Sequence, residues 1–366
     1  MGFTCGIVGL PNVGKSTIFN AITSVGAEAA NFPFCTIEPN QGIVSVPDPR
    51  LGHIAQYIVP KKLIPTTMTF VDIAGLVAGA SKGEGLGNKF LAHIRETNAI
   101  AHVVRCFDDE NVVHVDGSVD PIRDVEVIDT ELMLADLETV TKRVSALEKK
   151  GRGGDKEILK TLEAARPIQK ALEEGICVRT LDLPSDVEDR IRDFHLITQK
   201  KVMYIANVDE AGMADLDNNA YYQRLLEHAT KEGAPVAVVC GKTEAEIAEL
   251  DPEEKAEFLL ELGLKESGLD RVIAIGYQLL ELQTYFTAGE KEVRAWTFHK
   301  GDTAPQAAGV IHTDFEKQFI KADVYHYDNL MEHKSEAAVK EAGAMRLEGK
   351  KYLVKDGDIM FFKTGA

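Results

Sequence analysis

Gly9-Leu10-Pro11-Asn12-Val13-Gly14-Lys15-Ser16 follows the spacing G-x-x-x-x-G-K-[ST]. Residue types at this spacing handle phosphate. The glycines let successive backbone N–H groups turn inward around phosphate oxygens. Lys15 can reach the β- and γ-phosphates, and the Ser16 hydroxyl is a ligand for Mg²⁺. An apolar run at Phe3–Val8 precedes the loop, and a helical pattern starts at about Lys15. The helix N-terminus adds its positive end to such a site. Asp72-Ile73-Ala74-Gly75 closes another apolar run, over 66–75. An Asp there holds a magnesium-bound water, and the Gly75 N–H can sense a γ-phosphate. Thr36, between the two motifs in "NFPFCTIEPN", is expected to supply the second hydroxyl to the metal from a switch loop. The expected metal ligands are Ser16, Thr36 and Asp72.

A third corner bears on the base. Asn207-Val208-Asp209-Glu210 ends the run over 201–208, where a GTP-binding protein carries Asn-Lys-x-Asp. Guanine offers donors at N1 and N2 to that Asp. Adenine offers an acceptor at N1 and a donor at N6. Glu210, one methylene longer than Asp, does not reproduce the two-bond geometry. Val208 replaces the Lys whose stem covers the base. Asn207 carries both a donor and an acceptor for the N7/N6 edge of adenine. Losing a buried two-bond recognition changes preference by about 10⁴ or more. The corner favours ATP. The competing arrangement is a shifted backbone that presents Asp209, one place early, to guanine.

Elements must bring these corners together. Apolar runs at 3–8, 66–75, 99–107, 201–208 and 235–240 alternate with helical patterns. This predicts an α/β domain with a mostly parallel sheet, whose ligands sit at the carboxyl ends of the strands. The alternation breaks between about 128 and 198. Met133, Leu137, Val140, Val144 and Leu147 form a heptad seam, and Ile158, Leu162, Ala165, Ile168 and Leu172 a second stripe. They predict an inserted antiparallel helical hairpin that turns at 149–156. From about Gln283 the pattern becomes a small α+β domain, with strands in "KEVRAWTF", "FIKADVYHY" and around the Asp-Gly of "YLVKDGDIMFF". The expected division is a nucleotide-binding domain of 1–127 plus 199–282, a helical insert of 128–198 and a terminal domain of 283–366.

"GLPNVGKST", "NFPFCTIEPN" and "DIAGLVAGASKGEGLGNKF" resemble the YchF (Obg-like ATPase) family of P-loop proteins. The segment from "LQTYFTAGEKEVRAWTF" through "AAGVIHTDFEKQFIKADV" is similar to that family's TGS domain, a ubiquitin-like β-grasp fold. The likeness runs nearly end to end and includes the insert. It implies a cytosolic Mg²⁺-dependent ATP hydrolase that acts on or near ribosomes. Leu76 follows the DxxG motif, where Ras-like switches place a water-orienting Gln, and Leu76 cannot hydrogen-bond. The resemblance implies that His114, in the polar stretch 108–120, takes that role. Without it, His114 reads as an ordinary loop histidine, and His93 and His102 as structural. Asn12 is either a loop-shaping residue or a ligand for K⁺ beside the phosphates. Candidate catalytic residues are therefore His114 and Lys15. Candidate nucleotide contacts are Asn12, Val13, Gly14, Lys15, Ser16, Thr17, Gly75, Asn207 and Val208. The rival readings are a GTPase translation factor of the same fold, a small-molecule kinase, and a nucleotide-holding module without turnover. No Arg-rich lid favours the kinase.

The 366-residue chain has a net charge of −17, which argues against a generic DNA-coating protein. Seven Lys/Arg against three Asp/Glu between Lys142 and Lys160 make a local +4. Lys149, Lys150 and Arg152 at the hairpin tip are candidates to meet ribosomal phosphates. No apolar run approaches the roughly 20 residues that span a bilayer. The N-terminus shows no secretory or acylation pattern, and five scattered cysteines suit a reducing, cytoplasmic setting. Cys35, beside Thr36, is either an inert thiol or a redox-sensitive one.

Overall fold

The computed structural model describes residues 3–25, 40–73, 86–112, 114–115 and 117–365. Thr36, Cys35, Gly75 and Leu76 lie outside the described residues. The strands are β1 Thr4–Val8, β2 Gln41–Ser45, β3 Leu63–Ile64, β4 Thr67–Asp72, β5 Ala99–Arg105, β6 Lys201–Asn207, β7 Val236–Val239, β8 Leu282–Ala288, β9 Val293–His299, β10 Phe319–His326, β11 Arg346–Glu348 and β12 Asp358–Thr364. The helices that matter below are α1 Lys15–Val25, α2 Pro49–Ile58, α3 Leu86–Glu96, α4 Pro121–Gly151, α5 Lys156–Glu173, α6 Ser185–Ile191, α7 Glu210–Ala214, α8 Ala220–Glu232 and α9 Gly241–Ile247.

The chain divides into two compact units, 1–43 with 69–272, and 44–68 with 273–366. The first unit carries a sheet of order β2-β4-β1-β5-β6-β7. β4, β1, β5, β6 and β7 run parallel, each to its neighbour. Every residue of β5 is buried, as expected for a parallel strand covered on both faces. His93 and His102 fall in α3 and β5, as the pattern predicted. Because the strands are parallel, their carboxyl ends at Val8, Asp72, Arg105, Asn207 and Val239 all lie on one edge. The register aligns Ile7 with Asp72, and Asn207 with both Arg105 and Val239.

The hairpin is longer than its seam suggested. α4 spans 31 residues and begins at Pro121 rather than near 128, capped by the Asp120 carboxylate, which accepts the N–H groups of Ile122 and Arg123. At 1.5 Å per residue that is roughly 46 Å of helix. Val140 and Val144 pack with Leu162, Ala165, Ile168 and Leu172, and Met133, Leu137 and Leu147 flank this core. Residues 149–151 belong to α4, so the turn is confined to 152–155, with Gly154 at φ 76° and Asp155 capping α5. Val187 and Ile191 of α6 close the far side. Buried Asp136 of α4 accepts the N–H groups of Ile197 and Thr198 at 2.9 and 2.7 Å, which ties the helix to the chain entering β6.

The second unit holds a mixed sheet of order β11-β10-β12-β8-β9-β3. β8 and β9 are antiparallel, as are β10 and β12, while β12 and β8 run parallel. Helix Ala304–Ile311 packs Ala304, Ala307 and Ala308 against Tyr285, Phe298 and Val324. The terminal α+β expectation holds in its elements, with two differences. Only one strand, β12, flanks the Asp-Gly pair, and Leu353 makes a single bridge to Thr303. Residues 44–68, read from sequence as nucleotide-domain chain, pack here instead. Leu51 and Ile54 of α2 share a core with Phe286, Val293 and Ile359, and β3 pairs with Val293 and Arg294. The apolar residues of α2 carry no mark of which sheet they cover, which is why periodicity missed this.

Candidate functional site

The P-loop conformation follows from its glycine. Gly14 has φ +92°, a region L side chains rarely adopt, and a Cβ there would sit 2.2 Å from Asn207 Nδ2. Asn12 also has positive φ, at 62°, which Asn tolerates better than most residues. α1 begins at Lys15, so Ser16 and Thr17 lie exposed in its first turn. Lys15 is nearly buried, and its ammonium pairs with the Asp72 carboxylate at the end of β4. Val13 is buried in the core and, unlike its neighbours Asn12 and Gly14, is not among the residues that line the cavity described below.

Asn207 is a strut. Its Nδ2 donates to the Val13 carbonyl at 2.9 Å, and its Oδ1 accepts the Gly241 N–H at 3.0 Å. The side chain thus joins the phosphate loop to the start of α9. The base-edge role expected for Asn207 is left with its remaining amide N–H and lone pair. Asp209 and Glu210 also line the cavity described below, and each carboxylate has a protein partner. The Asp209 carboxylate caps α7 by accepting the Gly212 N–H at 2.8 Å. Glu210 reaches Lys242 at 2.8 Å, both side chains being exposed. Val208 is buried and lines the cavity.

Around these corners lies a cavity of about 1230 Å³. It brings together Asn12, Gly14, Lys15, Ser16, Thr17, Asn207 and Val208 from the predicted set. It adds Phe107, Asp108, Asp109 and Val112 after β5, and Cys240, Gly241, Lys242 and Glu246 at the β7–α9 turn. Sequence reasoning missed these, although 99–107 and 235–240 were both read as strands ending on the ligand edge. Arg105 shapes the first added segment. Fully buried, it donates to the carbonyls of Phe107, Val112 and Asp109 at 3.0, 2.9 and 3.3 Å and lies 4.8 Å from the Phe107 ring centroid.

His114 is not among the residues lining this cavity. It is buried, with Nε2 2.9 Å from Asp124 Oδ2 on α4. Burial raises the Asp124 carboxyl above its ordinary range against the opposing pull of His114. The hairpin tip lies elsewhere again. Lys149, Lys150 and Arg152 are exposed there, while Lys142 pairs with Glu138 and Lys160 with Glu157. The uncompensated charge is thus concentrated at the turn.

A family described as a 50S ribosome-binding GTPase matches residues 4–149, and the YchF-GTPase C-terminal family, described as a protein of unknown function, matches 282–365. Among curated relatives, the ribosome-binding ATPase YchF of Pasteurella multocida is 58% identical over 363 residues, covering 99% of both chains. That of Bacillus subtilis is 53% identical over 363 residues with the same coverage. The solved structure of the Schizosaccharomyces pombe YchF GTPase superposes with a TM-score of 0.89 at 39% identity, over 99% of this chain and 98% of the other. The chain belongs to the YchF family. It is a nucleoside-triphosphate hydrolase with a P-loop nucleotide-binding domain, and the cavity described above lies at that P-loop. The names of these relatives disagree about the base, ATP in the curated proteins and GTP in the solved structure. No described helix is long and apolar enough to cross a membrane.

Proposed function

We propose that this YchF-family protein is an Mg²⁺-dependent ATPase switch that works in association with the ribosome, as its curated relatives are named. The observation that carries ATP over GTP is the fate of the two carboxylates after Asn207. Asp209 is engaged through one oxygen as a helix cap and Glu210 through one oxygen by Lys242, so each carboxylate would have to give up or share a partner to accept from both guanine N1 and N2. The affinities of ATP and GTP, titrated side by side, test this. ATP binds at least about tenfold more tightly, a small part of the factor of about 10⁴ that a complete two-bond recognition commands. Equal affinities would refute it.

Ser16 and Asp72 fit the metal: a hydroxyl and a carboxylate at one loop mouth are the hard oxygen donors that Mg²⁺ takes alongside phosphate and water. Thr36 is proposed as the further ligand. When bound, the ion neutralises charge on the phosphate oxygens. Lys15 exchanges its Asp72 partner for the β- and γ-phosphates. Val13 and Gly14 offer backbone N–H groups, Gly75 senses the γ-phosphate, and Asn12 either shapes the loop or binds K⁺ beside the phosphates. His114 orients the attacking water. The tip residues Lys149, Lys150 and Arg152 meet ribosomal phosphate or protein, and the protein acts in the cytoplasm.

A further inference from the structure

A corner that prefers adenine needs a donor for the N1 lone pair as well as a reader for the N7/N6 edge. The Asn207 amide keeps one N–H and one lone pair for that edge. The carboxylates of Asp209 and Glu210 would repel the lone pair of N1. Among the described residues that line the cavity, the cations are Lys15 and Lys242. Lys15 is nearly buried against Asp72, at the phosphate loop. Lys242 stands in the first turn of α9, and its Nζ donates to Glu210 Oε1 at 2.8 Å, in the first turn of α7. The pair is thus carried by the turns that follow β6 and β7. Those turns are fixed to each other: the Val208 N–H donates to the Val239 carbonyl at 2.9 Å, and the Asn207 amide accepts the Gly241 N–H at 3.0 Å. The Lys242 and Glu210 side chains are 73% and 62% exposed and both line the cavity, so a base can reach the ammonium. An ammonium carries three N–H groups, and Glu210 takes one. Glu210, and then Glu246 on α9, raise the pKa of Lys242 above its ordinary value, so at neutral pH it is a donor only.

We propose that Lys242 is a specificity-determining residue whose ammonium, steadied by Glu210, donates to N1 of adenine. The inference rests on the ATP preference proposed above and names a group that reads the base. An Asn-Lys-x-Asp corner presents an acceptor to the N1 and N2 donors of guanine. This corner presents a donor, carried on the very carboxylate that stands in the Asp position. Guanine would set its N1–H and amino group against an ammonium, and Glu210 would have to share or leave Lys242 to accept from them. Adenine leaves the pair intact. A single bond open to solvent contributes about three- to tenfold in affinity, well short of the factor of about 10⁴ that a closed two-bond reader commands.

The test is an equilibrium titration of the full-length protein with Mg²⁺ and ADP, GDP or 1-deaza-ADP, in which a C–H group replaces N1. Diphosphates keep turnover out of the measurement. Wild type binds ADP about three- to tenfold more tightly than 1-deaza-ADP. Lys242→Met weakens ADP by that factor, leaves 1-deaza-ADP unchanged and does not weaken GDP. Lys242→Ala is the second variant, and the thermal midpoint checks that both fold. Equal binding of ADP and 1-deaza-ADP by wild type overturns the proposal. A difference that survives in Lys242→Met overturns it as well, since another group would then read N1. Losses of one size for all three nucleotides in both variants also overturn it, because Lys242 would then only shape the mouth of the cavity. Equal binding of ADP and GDP by wild type refutes the base preference itself, and the 1-deaza-ADP comparison still decides the role of Lys242.

Discussion

Replacing Asn207 with Ala separates a strut from a base reader. The substitution removes the bonds to the Val13 carbonyl at 2.9 Å and from the Gly241 N–H at 3.0 Å. Both partners belong to buried residues, so each is left without its mate in the interior. Stranding a buried donor or acceptor costs about 1–3 kcal/mol, which gives roughly 2–6 kcal/mol for the pair. For a unit of this size 1 kcal/mol corresponds to about 2–4 °C. The thermal midpoint should therefore fall by at least about 4 °C and up to about 24 °C, and the P-loop lose the tie that sets Gly14. ATP and GTP should then weaken together, each by about tenfold or more, because 1.4 kcal/mol is a factor of ten. Differential scanning fluorimetry and titration with both nucleotides measure this. An unchanged midpoint with an ATP-to-GTP ratio shifted by more than about tenfold would refute the strut and return Asn207 to base reading.

Converting Val208 to Lys and Glu210 to Asp restores the guanine-reading letters and should raise GTP affinity, read by the same titration. The gain should stay well below the factor of about 10⁴ that a complete reader commands, since Lys242 would compete for the new carboxylate. At the tip, Lys149, Lys150 and Arg152 changed together to Ser should reduce ribosome co-sedimentation at moderate salt and flatten its salt dependence, because fewer counterions are released. Basal ATP turnover should stay near wild type, and normal sedimentation would move the contact elsewhere. Acid should destabilise the fold through His102, whose burial pushes its pKa from 6.5 down to about 3. The unfolded chain takes the proton first, so the stability is complete above about pH 6.5 and is lost as pH falls toward 3, at about 1.4 kcal/mol per pH unit. Asp129, Asp136 and Glu244 are raised by burial and act with the opposite sign, so the measurement is the difference in urea midpoint between wild type and His102→Gln at pH 7 and pH 5. A slope that His102→Gln leaves unchanged would sink the assignment.

Periodicity and motif spacing carried the reading where the physics is local. A strand buried on both faces must be a continuous apolar run, and β5 is one. A helix that packs along one seam must repeat it, and Val140 and Val144 face Leu162 and Ile168 as their spacing required. The phosphate loop is legible because only glycine takes the backbone angle at position 14 beside Asn207. What stayed hidden depends on three-dimensional partners. The apolar stripe of α2 names no sheet, so its membership in the second unit could not be read from it. The amide of Asn207 has the same donors and acceptors whether it faces adenine or Val13, and composition cannot say which.

The acidic residues after Asn207 show why a changed motif is a weaker statement than a changed geometry. Read as letters, Asp209 left guanine recognition open, since one backbone shift would deliver a carboxylate to the base. In the fold that carboxylate already has work: it accepts the Gly212 N–H and starts α7. Freeing it would cost a helix cap, about 1 kcal/mol. Glu210 is held more loosely, in an exposed pair with Lys242 worth at most about 1 kcal/mol. Base choice therefore rests on modest local terms, because both carboxylates at this corner line the cavity and are held only by these partners. One double substitution in the corner is thus enough to weaken the preference, yet too little to invert it, because Asn207 must go on bracing the loop whichever base is bound.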